Sequence, residues 1–184
     1  MKIVVAITGA SGSAYAVRLI EELNEKAEVI LVASEPAKEI LTAELDIPFT
    51  ELEELASESY DNDYMAASIC SGSAPFDAMV VVPCSMNTLG KLASGIADNV
   101  IARAGSVALK EGRRLIIVPR ETPLNTIQIE NMLKMSNAGA VILPPMPGFY
   151  GRPETAMDLV EFVVGRILDQ LGIGNELAPR WGET

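Results

Sequence analysis

Two charged residues stand directly after an apolar run that reads as a strand: Arg120 and Glu121, held between Pro119 and Pro123. A guanidinium there can pair with a phosphate oxygen, and a carboxylate beside it can take or give a proton if its pKa is tuned. A solvated loop is the plainer use of the same pair. Similar runs follow other apolar stretches. Gly9-Ala10-Ser11-Gly12 has small residues whose backbone N–H groups can approach a phosphate at a helix N-terminus. Ser11 stands where the second glycine of a dinucleotide fingerprint would be, so the run fits a tight helix-capping turn equally well. In Pro83-Cys84-Ser85-Met86-Asn87-Thr88 the hydroxyl and amide residues suit either a helix cap or the polar rim of a crevice. Ser34 follows a further apolar run, and Pro144-Pro145 another.

Elsewhere the candidates are sparser. Arg103, Lys110, Arg113, Arg114 and Arg120 are five of the 14 Lys and Arg, and they fall in one short stretch. A local anion site is one reading; surface solvation is the other and fits Arg113 and Arg114. Phe149 and Tyr150 sit in a Pro/Gly-rich loop, and the Tyr150 hydroxyl with Arg166 can bind phosphate oxygens. Cys70 and Cys84 lack a recognisable base and read as small buried residues. Asp61-Asn62-Asp63 reads as an exposed loop rather than a metal site, and no metal-ligand spacing is present. There is no histidine, which excludes Ser-His-Asp and Cys-His catalysis from this chain.

The elements that must position these residues alternate. Strands are expected at Lys2–Thr8, Glu28–Ala33, Asp77–Val82, Leu115–Val118 and Ala140–Leu143, the third and fourth stopped by Pro83 and Pro119. Helices are expected at Ser13–Leu23, near Pro36–Thr42, at Asn87–Ser94, Asp98–Lys110, Thr126–Asn137 and Glu154–Leu171. Five β-then-α units imply an α/β chain with a doubly wound parallel sheet. Its ligand would bind beyond the carboxyl ends of the strands, where the polar runs lie. Asp46–Gly72 is open: an inserted helix, a short strand or an excursion toward another subunit. The chain reads as one domain over residues 1–184, with a C-terminal tail from about 172 in which Trp181 serves as an anchor.

Bulk composition agrees. The sequence has 184 residues, is 49% hydrophobic but only 5% aromatic, and carries a net charge of −11. Length and hydrophobicity support a folded core, and the acidity disfavours nucleic acid and anionic membranes. No signal peptide or membrane span is expected. Two cysteines give no disulfide framework, so the expected location is cytoplasmic.

The motifs together resemble the UbiX-type flavin prenyltransferases over essentially the whole length. The resemblance rests on Thr8–Gly12, Ser71-Gly72-Ser73, Pro83–Thr88, Arg120-Glu121-Thr122-Pro123-Leu124, Pro144-Pro145 with Phe149-Tyr150, and Arg180-Trp181, the Arg120–Leu124 run being the most specific. It implies a Rossmann-like flavoprotein fold and a homo-oligomer, typically a dodecamer. The implied reaction joins a dimethylallyl group, from dimethylallyl monophosphate, to N5 and C6 of reduced FMN without a metal. The product serves a UbiD-type decarboxylase. By motif, Gly9, Ala10, Ser11, Ser34, Ser85, Met86, Asn87, Thr88 and Arg120 bind FMN; Lys110, Tyr150 and Arg166 bind the prenyl phosphate; Ser11, Glu44 and Glu121 are catalytic. The alternatives are a non-catalytic FMN carrier and a flavin-dependent decarboxylase. The decarboxylase group relies on a histidine that this chain lacks.

Overall fold

The structure, a computed structural model, describes residues 1–182. The tail is thus seen as far as Gly182, and its last two residues lie outside the described residues. Six parallel strands form one sheet: β1 (Lys2–Ile7), β2 (Glu28–Ala33), β3 (Glu58–Asp61), β4 (Ala78–Cys84), β5 (Arg114–Pro119) and β6 (Val141–Ile142). Their order is β3-β2-β1-β4-β5-β6. The helices are α1 (Ser13–Leu23), α2 (Glu35–Leu45), α3 (Phe49–Leu55), α4 (Met86–Ser94), α5 (Val100–Lys110), α6 (Thr126–Asn137) and α7 (Ala156–Leu171).

Both sheet faces are covered, which is why the strands read as continuous apolar runs. Ile3, Val5 and Ile7 of β1 point into a core with Leu19 and Ile20 of α1, Leu41 of α2, Leu52 of α3 and Ile167 of α7. Val4 and Ala6 point the other way, into a core with Leu89 of α4, Val107 of α5 and Met135 of α6. The chain builds β1, β2 and β3 outward in one direction, then returns to add β4, β5 and β6 on the other side. The carboxyl ends of β1 and β4 therefore flank a topological switch point, the place where such sheets form a binding crevice. Thr8 ties the two ends together. Its Oγ1 donates to the Pro83 carbonyl at 2.8 Å and accepts the Ser85 N–H at 2.7 Å.

Three expectations change. Asp46–Gly72 holds both a helix, α3, and a strand, β3, so the sheet has six strands rather than five. Pro83, expected to stop its strand, lies inside β4, whereas Pro119 ends β5 as expected. Pro83 cannot donate to the ladder, and the register between β4 and β5 shifts between Val81 and Cys84. Yet the Pro83 carbonyl still accepts from Thr8, and Cys84 pairs with Pro119. Arg113 is not a solvated surface residue. Its guanidinium lies 4.3 Å over the Phe76 ring and donates to the Gly72 carbonyl at 2.8 Å.

Candidate active site

A cavity of about 520 Å³ opens at the switch point. Gly9, Ala10 and Ser11 beyond β1, Ser34 beyond β2, Ser85 through Thr88 beyond β4, and Arg120 with Glu121 beyond β5 all line it. Every residue read as flavin-binding from the sequence thus meets in one place. The polar character comes from hydroxyls, amides and backbone N–H groups, with Lys91 and Arg120 as the cations. Gly9 is tightly placed: a Cβ there would lie 2.7 Å from the Pro36 Cβ.

Ser34 supplies the test of fit for a phosphorylated, polar ligand. Its Oγ is buried and has no hydrogen-bond partner. A buried hydroxyl without a partner is costly, and a ligand oxygen in this cavity would satisfy it. Ser85, by contrast, is already used as a helix cap: its Oγ accepts the Thr88 N–H at 3.3 Å. Both readings of the Pro83–Thr88 run hold at once, since the cap residues also face the crevice.

A second cavity, about 460 Å³, adjoins the first. The two share Ser11, Arg120 and Glu121. Most of its remaining wall is apolar: Tyr15, Leu124, Met132, Pro144, Pro145 and Met146. Gly12 forms the corner at φ 112°, and a Cβ there would lie 3.0 Å from the Tyr15 ring. Burial pushes the Tyr15 phenol up, and Arg120 partly offsets this.

Glu44 settles how the Gly9–Gly12 run is used. Its carboxylate, on α2, accepts the Gly12 N–H at 3.0 Å and the Ser13 N–H at 2.8 Å. The amides that open α1 are therefore met by an internal carboxylate, and the phosphate reading for that helix end gives way to the capping one. Burial pushes the Glu44 carboxyl up, but hydrogen bonds from Ser11, Ser13 and Gly12 outweigh it and hold the group below its ordinary value.

Lys110, Tyr150 and Arg166 are not in either cavity. Asn99, on the wall of the main cavity, caps the start of α5, and Lys110 ends the helix. At 1.5 Å per residue the helix carries Lys110 about 16 Å away. There its ammonium pairs with Glu111 beside Gly72. Tyr150 and Arg166 line a separate cavity of about 140 Å³ with Trp181. Arg166 donates to Asp169 at 2.7 Å, and the Tyr150 ring meets the Trp181 ring edge-on with centroids 5.1 Å apart. Trp181 is 81% exposed, which is not the burial expected of an anchor.

Sequence reading missed Pro36, Asn62, Lys91, Asn99 and Ile101, all on the main cavity wall. Asn62 had a usable signal: it follows a strand end, but β3 was not recognised as a strand. Cys84 and Cys70 are buried free thiols, as expected. Burial pushes the Cys84 thiol up to about 12. Among the described residues no helix is long and apolar enough to cross a membrane.

Known proteins resemble the chain in sequence and in fold. The chain matches the Flavoprotein family over residues 1–168. It is 54% identical to a protein named flavin prenyltransferase UbiX from Methanocaldococcus jannaschii over 182 residues, 99% of each chain. It is 50% identical to the protein of the same name from Thermoplasma acidophilum, covering 98% of this chain and 100% of that one. Among solved structures, AnUbiX in complex with FMN and dimethylallyl pyrophosphate superposes with a TM-score of 0.97 at 41% identity, covering 98% and 97% of the two chains. A dodecameric FMN-dependent UbiX-like decarboxylase from Escherichia coli O157:H7 superposes with a TM-score of 0.96 at 45% identity, covering 98% and 99%.

Proposed function

The chain belongs to the flavoprotein family, as one of its UbiX-type flavin prenyltransferases, and on that premise we propose that it joins a dimethylallyl group from dimethylallyl monophosphate to N5 and C6 of reduced FMN. The product is prenylated FMN for a UbiD-type decarboxylase. One observation carries the reading: a polar cavity and an apolar one meet at Ser11, Arg120 and Glu121. A carrier needs only the first. An enzyme that joins two molecules needs room for both and reactive groups at the junction.

Reduced FMN supplies the nucleophilic N5 and C6, and its ring belongs at that junction. Ser34, Ser85 and Thr88, along the main cavity, would hold its ribityl phosphate arm. The apolar wall of Tyr15, Leu124 and Met132 takes the dimethylallyl chain and excludes water from it. Glu44, ionised and in contact with Ser11, relays away the C6 proton through the Ser11 hydroxyl. Glu121 protonates the departing phosphate, and Arg120 holds the flavin side of the junction.

Lys110, Tyr150 and Arg166 stabilise the leaving phosphate. Within one chain they lie away from the junction, so neighbouring copies must deliver them, and a homododecamer is the assembly we propose. The dodecameric E. coli relative supports it, as do the exposed Met146, Phe149 and Trp181. Two free cysteines support a cytoplasmic location.

The test is the mass of the flavin released after anaerobic incubation with reduced FMN and dimethylallyl monophosphate, without added metal. Gain of one dimethylallyl-derived unit is expected. Unchanged FMN, with the diphosphate also inert, would return the chain to the carrier reading.

A further inference from the structure

We infer that Asn62 is an additional flavin-binding residue, donating from its side-chain amide to the phosphate-bearing arm of FMN. This rests on the flavin reading above.

Placement is the first ground. The residue immediately past each of β2, β3, β4 and β5 is Ser34, Asn62, Ser85 and Arg120, and all four line the main cavity. Ala33 pairs with Asp61 in the parallel β2–β3 ladder, so Ser34 and Asn62 leave adjacent strands at the same level. Adjacent strands lie about 4.8 Å apart, which sets Asn62 beside the buried, unpartnered Ser34 hydroxyl. It also sets Asn62 four strands from Arg120, or about 19 Å. That is the end of the cavity away from the junction, where the arm must lie if the ring sits at Arg120.

Hydrogen bonding fixes which end of the amide faces the ligand. The Asn62 main-chain carbonyl accepts the Val100 N–H at 2.8 Å. Its side-chain Oδ1 accepts the Ile101 N–H at 3.1 Å. A backbone N–H can face only the oxygen of an amide, so the amide cannot be flipped. Asn99 Oδ1 accepts the next amide, that of Ala102, at 2.9 Å. The opening amides of α5 are thus satisfied by protein groups, and that helix end is not itself the anion site. What Asn62 has left is Nδ2–H2, which has no partner among the described residues. Two donors of adjacent strands, the Ser34 hydroxyl and the Asn62 amide, then converge on the arm.

Asn62→Asp separates the two duties. Aspartate keeps an acceptor for the Ile101 N–H, and a negative charge is favourable at the start of a helix. It removes the donor. The measurement is FMN affinity of the full chain by quenching of flavin fluorescence, at low and at about 0.5 M salt, with the melting temperature of the flavin-free protein as control. The expected result is an unchanged or raised melting temperature and FMN binding weakened about tenfold, persisting at high salt, as loss of a hydrogen bond to a charged acceptor requires. Wild-type affinity in Asn62→Asp would overturn the inference. So would a loss that vanishes at high salt, which is mere charge repulsion. Asn62→Ser, smaller and neutral, must also weaken binding; unchanged affinity there overturns it as well. Wild-type protein that fails to bind FMN brings down the flavin reading itself, and this inference with it.

Discussion

Glu44 Oε2 accepts the backbone N–H of Ser13 at 2.8 Å, and so plugs the start of α1 with a carboxylate from α2. The same carboxylate is hydrogen-bonded to the Ser11 side chain. One side chain thus shapes the loop and is placed to move a proton.

Glu44→Gln should uncouple these duties. The amide oxygen can still accept one N–H, so FMN binding should survive, while ring closure onto C6 should slow by about two orders of magnitude or more, the usual size of a general-base contribution. Normal ring closure in rapid-quench mass spectra would remove Glu44 from the relay. A stability effect follows with a definite sign. A folded-state pKa below the ordinary 4.5 stabilises the fold above that pH, and the contribution is lost as pH falls through the folded value. The gap in melting temperature between wild type and Glu44→Gln should therefore be full at about pH 7 and close as the pH falls below 4.5 through the folded value.

Lys110→Ala and Arg166→Ala should each leave FMN bound and raise the KM for dimethylallyl monophosphate. Loss of one charge-assisted contact predicts about tenfold or more. Loss of flavin from Arg166→Ala would reject its assignment. If the two residues reach one site from different copies, refolding the two high-KM variants together should return about a quarter of the sites to the wild-type KM under random mixing. No recovery would mean that one copy supplies both.

Gly9→Ala should weaken FMN binding and lower stability by about 1–3 kcal/mol, because the new methyl overpacks against Pro36. Gly12→Ala should be at least as damaging, since the φ of 112° strains any L side chain besides crowding Tyr15. Denaturant melts and flavin titrations report both. A fully stable, flavin-replete Gly12→Ala would show that the corner is softer than its geometry.

Cys84 should be inert. Fully buried, with its thiol pushed up to about 12, it stays protonated throughout the physiological range. Alkylation of the native protein at about pH 8 should leave Cys84 unmodified in peptide maps, while the unfolded protein reacts. Rapid native labelling would contradict its burial.

The sequence by itself determined the sheet and most of its carboxyl edge. Runs such as Ile3–Ile7 and Met79–Val82 are apolar on both faces, and only a strand buried on both sides needs that. Small and hydroxylated residues after those runs marked Gly9–Ser11, Ser34 and Ser85–Thr88, because a strand end is defined locally by where the apolar run stops. The same local logic failed for Glu58–Asp61, whose Glu-Ser-Tyr-Asp has no apolar run, and so hid Asn62. β3 is a strand because β2 offers it a hydrogen-bonding edge, and no local pattern records that. Pro83 misled for a related reason: a proline lacks a donor, but only the register of neighbouring strands decides whether one is needed there. Tertiary structure alone decided that Glu44, 31 residues from Ser13, caps α1. It also left Lys110 and Arg166 outside the two cavities that Arg120 lines, because helix length and packing direction, not residue type, fix where a side chain stands relative to the site it was matched to.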